Sequence, residues 1–289
     1  QLLNGNSFIL GVSGGGKSFA AKGEIVNQVL SSDADIIIID PEREYSQLVN
    51  AMGGEVINIS ATSPNHINAM DMNKDYGDGA NPVILKSEFI MSLCEQLIGG
   101  THLGAKQKSI IDRCVDAVYR DYKNGGQIPT LCTLREKLLE QPEDEARELA
   151  LALELFTSGS LNAFAHETNV DTQSRIIVYD IHDLGAQLKP AGLLTITDAM
   201  LNRVTLNWKK GKRTHIFVDE FHIVDENEYS GNFFTSAWRQ FRKRNAYPCA
   251  ITQNVEYLLD SVQASTMLSN SEYIVMLSQA ASAREKLSP

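Results

Sequence analysis

The chain has 289 residues, 43% of them hydrophobic, and a formal net charge of −10. That length supports a large buried core, in one big domain or two smaller ones, and the acidic balance argues against a broad basic surface for gripping nucleic acid, leaving room for a local basic strip. There is no run of about 18 apolar residues to span a membrane and no charged, apolar, small-residue leader. The four cysteines, Cys94, Cys114, Cys132 and Cys249, form no C-x-x-C pair, so they read as reduced core thiols of a cytosolic protein rather than a zinc or redox site.

In chain order, residues 7–10 read as a short buried strand running into Gly11-Val12-Ser13-Gly14-Gly15-Gly16-Lys17-Ser18. This stretch fits G-x-x-x-x-G-K-[ST], the phosphate-binding P-loop pattern. A helix is predicted to leave it over 19–30. The strand, loop, helix order is what the chemistry needs. Glycines let successive backbone N–H groups curl around phosphate oxygens, and the helix N-terminus adds partial positive charge. Gly14, Gly15, Gly16, Lys17, Ser18 and Phe19 are the candidate nucleotide-binding residues, with Lys17 neutralising the β and γ phosphates and the Ser18 hydroxyl ligating Mg²⁺.

Residues 34–40 form a continuous β-branched run, the pattern of a strand buried on both faces of a parallel sheet, and end at Asp40. A helical stretch to about 52 and a third strand over 55–60 follow, then an irregular loop over 61–79. From 83 to about 156 apolar residues recur at three- and four-residue spacing, which predicts four helices broken at Gly99-Gly100, Gly125-Gly126 and Gln141-Pro142. Strands resume at 175–181, 214–220, 248–253 and 273–278, with a long helix over 191–208. The alternation predicts an α/β fold with a mainly parallel sheet covered on both faces. The expected division is a P-loop ATPase core over 1–81 and 157–289 with an all-helical insertion over 82–156. The abrupt start and the lack of a closing element predict a domain of a longer protein.

A P-loop ATPase also needs a carboxylate at the end of a second buried strand to hold Mg²⁺ through its water shell, and a group that orients or deprotonates water. Three strands end in an acid, at Asp40, Asp180 and Asp219, and only Asp219 is followed at once by a second carboxylate. Asp219 is therefore assigned to the metal together with Ser18, and Glu220 to water. Asp40, followed by Pro41, is the rival, and His222 is disfavoured as a base because the Asp-Glu pair already supplies the chemistry. Gln253, at the end of a buried strand, is the candidate γ-phosphate sensor. The basic cluster Arg239, Arg242, Lys243 and Arg244 precedes that strand, where ring-forming P-loop ATPases often carry an arginine that reaches the neighbouring subunit's γ-phosphate.

The blocks GVSGGGKSFAAK (11–22), IDPEREY (39–45), IFVDEF (216–221) and RKRNAYPCAITQ (242–253) resemble the conjugative transfer ATPases of type IV secretion systems, the VirB/TraC-like branch of the FtsK/HerA group of P-loop motors. The resemblance implies a RecA-like fold, ATP and Mg²⁺ as ligands, homo-hexamers, and a role in pilus biogenesis or substrate transfer. It also implies a missing N-terminal domain. Partners would be other secretion components, including the coupling protein and inner-membrane channel proteins, with the protein cytoplasmic and peripheral at the inner face of the bacterial cell membrane. In that group a trans-acting arginine stands eleven positions before a glutamine, which selects Arg242 over Arg239 and Arg244. Two rivals remain at this level: a DNA-pumping motor of the same group, and a nucleotide-gated docking module that hydrolyses little.

Overall fold

The computed structural model describes residues 5–73, 76, 81–99, 102–225, 228–253 and 255–279. Strand β1 (Ser7–Leu10) leads through the glycine-rich loop into helix α1 (Lys17–Ser31), followed by β2 (Asp35–Asp40), α2 (Ser46–Ala51) and β3 (Glu55–Asn58). Five helices come next: α3 (Pro82–Leu97), α4 (Ala105–Lys123), α5 (Leu131–Leu139), α6 (Asp144–Ala152) and the single turn α7 (Glu154–Thr157). The fifth, α7, is additional to the four predicted: Leu153 both ends α6 and starts a new turn. The chain continues with β4 (Ile176–Asp180), α8 (Lys189–Lys209), β5 (Thr214–Val218), α9 (His222–Asp225) and α10 (Glu228–Phe241). A 3-10 turn (Arg242–Arg244), β6 (Ala246–Thr252), α11 (Val255–Asp260), α12 (Val262–Ser269) and β7 (Tyr273–Met276) complete it.

Contact density divides the chain into two compact units, one made of 1–57, 171–182 and 203–289, the other of 58–170 and 183–202. The first unit is organised by a seven-stranded sheet in the order β3-β4-β2-β5-β6-β1-β7, the RecA-like arrangement, and every pairing from β4 across to β7 is parallel. Strand β2 lies in the interior and its isoleucines 36 to 39 are at most 2% exposed, as expected for a strand buried on both faces. Helix α1 covers one face: Ala21 and Ile25, one turn apart, pack with Ile9, Ile36, Ile38, Val178 and Ile251. The opposite face carries Phe8, whose ring lies 5.5 Å from Trp238 of α10 and 6.0 Å from Phe221. Strand β7 is the sheet edge, and Tyr273 and Met276 are 57% and 52% exposed.

At the start of β2, buried Asp35 anchors the lower end of the sheet unit. Its Oδ2 accepts from Arg203 Nε and Asn207 Nδ2, both at 2.7 Å, and Lys212 lies 2.5 Å from Oδ1. Two cationic partners and an amide offset the cost of burying this carboxylate.

The second unit is a helical assembly around Ile90, Leu93, Ile111, Cys114, Leu134 and Leu149. Its α3 begins with Asn81 accepting from the Val83 amide and Pro82 in the first turn. Inside it, Lys86 is fully buried and paired with Asp198 at 2.7 Å, and Tyr76 donates to the same carboxylate at 2.6 Å. Cys94, Cys114 and Cys249 are buried, and burial pushes their thiols up to about 12, 11 and 12 respectively, away from thiolate reactivity. Among the described residues no helix is long and apolar enough to cross a membrane.

Candidate active site

Because the sheet is parallel from β4 to β7, the C-terminal ends of those strands gather on one edge, where the connections carry the polar sequence blocks. The loop 11–18 leaves β1 there. Gly16 caps α1 at φ 90° and no side chain caps that helix, so the first-turn N–H groups of Lys17, Ser18 and Phe19 keep free donor capacity. Gly15 is needed for a different reason: a Cβ there would meet the Val12 carbonyl oxygen at 2.9 Å. Lys17 is 7% exposed, and its Nζ donates to the Val12 carbonyl at 3.3 Å, which holds the ammonium over the loop. Ser18 is half-buried, while Phe19 is 84% exposed.

The loop is suspended from its neighbours. The Gly11 amide donates to Thr252 O at 3.3 Å, and the Val12 amide to Ser278 O at 2.8 Å. On the far side of β6, the Phe221 amide donates to Ile251 O at 2.9 Å. Successive carbonyls of β6 therefore hold the phosphate loop and the turn after β5, and Gln253, exposed, follows directly.

Strand β5 ends at Val218, one residue before the expected acid, so Asp219 and Glu220 occupy the turn. The Asp219 amide donates to Ile39 O at 3.1 Å, and Asp40 is in register with Asp180, which brings the three candidate acids side by side along the edge. Their surroundings separate them. Asp40 is fully buried and both its oxygens are occupied, Oδ1 by the Glu44 amide at 3.0 Å and Oδ2 by the Tyr45 amide at 2.8 Å. Asp180 accepts Arg43 Nε at 2.6 Å. Asp219 keeps more acceptor capacity: the Glu220 amide donates to its Oδ1 at 2.9 Å, and no cation pairs with it among the described residues.

Glu220 stands at φ 43°, a left-handed conformation uncommon for a residue with a side chain. Its side chain is 17% exposed, and Oε2 lies 3.3 Å from His222 Nδ1. His222 thus touches the residue it was set aside for.

Burial raises the Asp219 carboxyl to about 6, against the lowering effect of the Glu220 amide and the Tyr45 hydroxyl. A buried acid whose native pKa exceeds its unfolded value of 3.8 favours the fold in its protonated form, so its contribution is full below about pH 4 and lost as pH rises through about 6. The expected result is that Asp219→Asn stabilises the metal-free protein at pH 8 by up to about 3 kcal/mol, at 1.36 kcal/mol per pKa unit. Urea titrations of both proteins at pH 8 and pH 4 check it: the gap should close at the lower pH, and a gap that widens there contradicts the burial argument.

The donor set suits a triphosphate and a divalent cation. Uncapped amides and a lysine match an anion, and a hydroxyl and a buried carboxylate are the hard oxygen donors that Mg²⁺ prefers.

The basic cluster lies elsewhere. Trp238 and Phe241 are core, whereas Arg239, Arg242 and Lys243 are exposed, and Arg244 donates to Thr205 Oγ1 at 2.7 Å. These cations precede β6 and so sit at the opposite edge from Gln253. Seven residues at about 3.3 Å each separate the two ends of β6 by about 20 Å, beyond the reach of a side chain.

The family described as "Helicase HerA, central domain" matches residues 2–197. The chain belongs to that family. Within its P-loop group this HerA-family chain is VirB4-like. The structure of VirB4 of Thermoanaerobacter pseudethanolicus superposes with TM-score 0.83 at 25% identity, covering 98% of this chain and 80% of that one. The bacterial conjugative coupling protein TrwBdeltaN70, in complex with sulphate, superposes with TM-score 0.56 at 14% identity, covering 97% of this chain and 72% of that one. TrwB with ADP and Mg²⁺ gives TM-score 0.54 at 14% identity, covering 93% and 69%. At that identity TrwB shares the fold with the HerA-family chain. No curated protein matches it.

Proposed function

We propose that this protein is a magnesium-dependent ATPase that powers type IV secretion or conjugative transfer, in pilus biogenesis or substrate translocation. What supports the reading is the gathering of the 11–18 loop, the Asp219-Glu220 turn and Gln253 on one sheet edge through adjacent carbonyls of β6. Gly14, Gly15, Gly16, Lys17, Ser18 and Phe19 bind the triphosphate of ATP, and Ser18 and Asp219 hold the metal. Bound Mg²⁺ neutralises charge on the transferring phosphoryl group. Glu220 orients and deprotonates water, and Gln253 hydrogen-bonds the γ-phosphate.

Arg242 completes the site from a second copy, since in its own copy it lies at the other sheet edge. It stabilises transition-state charge in a homo-hexamer. A domain core over 1–81 and 157–289 with a helical insertion over 82–156 would meet the coupling protein and inner-membrane channel proteins, and the complex would lie on the cytoplasmic face of the cell membrane. The test is complementation. Arg242→Ala and Lys17→Ala proteins are each expected to be inactive alone, and their mixture to regain a measurable part of wild-type turnover, because mixed rings pair an intact loop with an intact arginine. A mixture as silent as its components would remove Arg242 from the site.

A second reading, a DNA-translocating motor, draws on the exposed Lys210, Arg213, Arg239, Arg242 and Lys243, which lie on the adjacent connections into β5 and β6. It differs in expecting duplex DNA to stimulate turnover in the same assay, with the stimulation lost as salt rises.

A further inference from the structure

The segment Pro41–Tyr45 has no part in the proposed reaction, although it bridges two of its elements. Asp40 closes the segment into a turn by accepting the Glu44 and Tyr45 amides. Arg43, held at φ 57°, is strapped to Asp180 by the 2.6 Å bond from Nε. The far end rests on the helix that leaves the phosphate loop: Lys22 of α1 lies 3.8 Å from Glu44 and 5.4 Å from the centre of the Tyr45 ring.

This scaffolding presents one group. Tyr45 is 0% exposed, and its hydroxyl stands against Asp219 without closing a hydrogen bond of ordinary geometry. A buried hydroxyl left without a partner costs the fold its desolvation with nothing in return. Were Tyr45 only filling space, phenylalanine would fill it at lower cost. Asp219 has the complementary need. Its Oδ1 already accepts the Glu220 amide, and an ionised carboxylate has further acceptor capacity.

We propose that Tyr45 is the positioning residue for Asp219: its buried hydroxyl donates to the ionised carboxylate and holds it in the one orientation in which it serves a divalent cation. The inference rests on the ATPase reading above and adds a role for the 39–45 block. Tyr45 touches neither nucleotide nor metal; it acts through Asp219, as the outer-shell partners of metal-binding carboxylates do.

The test is Tyr45→Phe in the full chain, which removes one oxygen and keeps the ring over which Lys22 sits. Mn²⁺ binding is followed by electron paramagnetic resonance with ADP present, ADP binding without metal by fluorescence, and unfolding of the metal-free protein by calorimetry. Expected is a Mn²⁺ affinity about tenfold weaker, an unchanged metal-free ADP affinity, and a melting temperature equal to or above wild type. In steady state kcat falls while KM for ATP holds. A Mn²⁺ titration that superimposes on wild type overturns the role of Tyr45 and leaves the ATPase reading intact. A lower melting temperature with metal-free ADP binding lost in step would make the residue a packing element and equally overturn it. A wild-type protein that binds no ADP at all would take down the ATPase reading itself and this inference with it.

Discussion

Glu220→Gln is expected to bind ATP as tightly as wild type and to hydrolyse it at least about a hundredfold more slowly, the scale of a lost general base. Glutamine keeps the length and the polar tip of the side chain, so the turn that places residue 220 at φ 43° is retained with the Phe221 amide on Ile251 O. What is lost is the basic carboxylate. Phosphate release measured beside fluorescent-nucleotide binding separates the two effects. A rate within a few fold of wild type would move water activation to another group, and His222, 3.3 Å from Glu220 Oε2, would be the first to examine.

Lys17→Ala should do more, removing turnover and weakening nucleotide binding together. Lys17 is 7% exposed, and its ammonium lies over the loop beside the uncapped α1 amides. Preorganised charge in a partly dry site is worth more than the same charge in water, and losses of about a thousandfold in turnover follow from removing one such group. The Glu220 variant keeps binding; the Lys17 variant does not. Calorimetric titration with ADP distinguishes them, and an unchanged affinity in Lys17→Ala would mean that the amides alone carry the phosphates.

Much of the sheet was readable because its signals are local. The short apolar run 7–10 is β1, and the run of isoleucines ending at Asp40 is β2. Loops after parallel strands share one edge, which is why the 11–18 loop, the Asp219-Glu220 turn and Gln253 lie together. Neighbour-dependent features were not. Apolar composition does not separate an edge strand from a central one, and nothing in residues 273–278 marks β7 as the exposed edge. The sequence places a strand start at Pro248, whereas β6 begins two residues earlier. The aromatic spacing of Phe234, Trp238 and Phe241 marks the buried face of α10, and Arg239 among them masks that signal in a reading by charge. At the site, composition could rank Asp40 below Asp219 but could not reveal the reason. Two backbone amides consume Asp40, and only the folded turn brings them to it.

Strand β6 carries a mechanical consequence. Its consecutive carbonyls, Ile251 O and Thr252 O, hold the Asp219-Glu220 turn on one side and the 11–18 loop on the other, while its opposite end follows the exposed arginines. A strand can tilt or slide only as a whole, because its ladder bonds to both neighbours break together. In the ring proposed above, a push at the arginine end would travel along β6 to the loop and the turn that its carbonyls hold, so the state of one copy would set the readiness of the next.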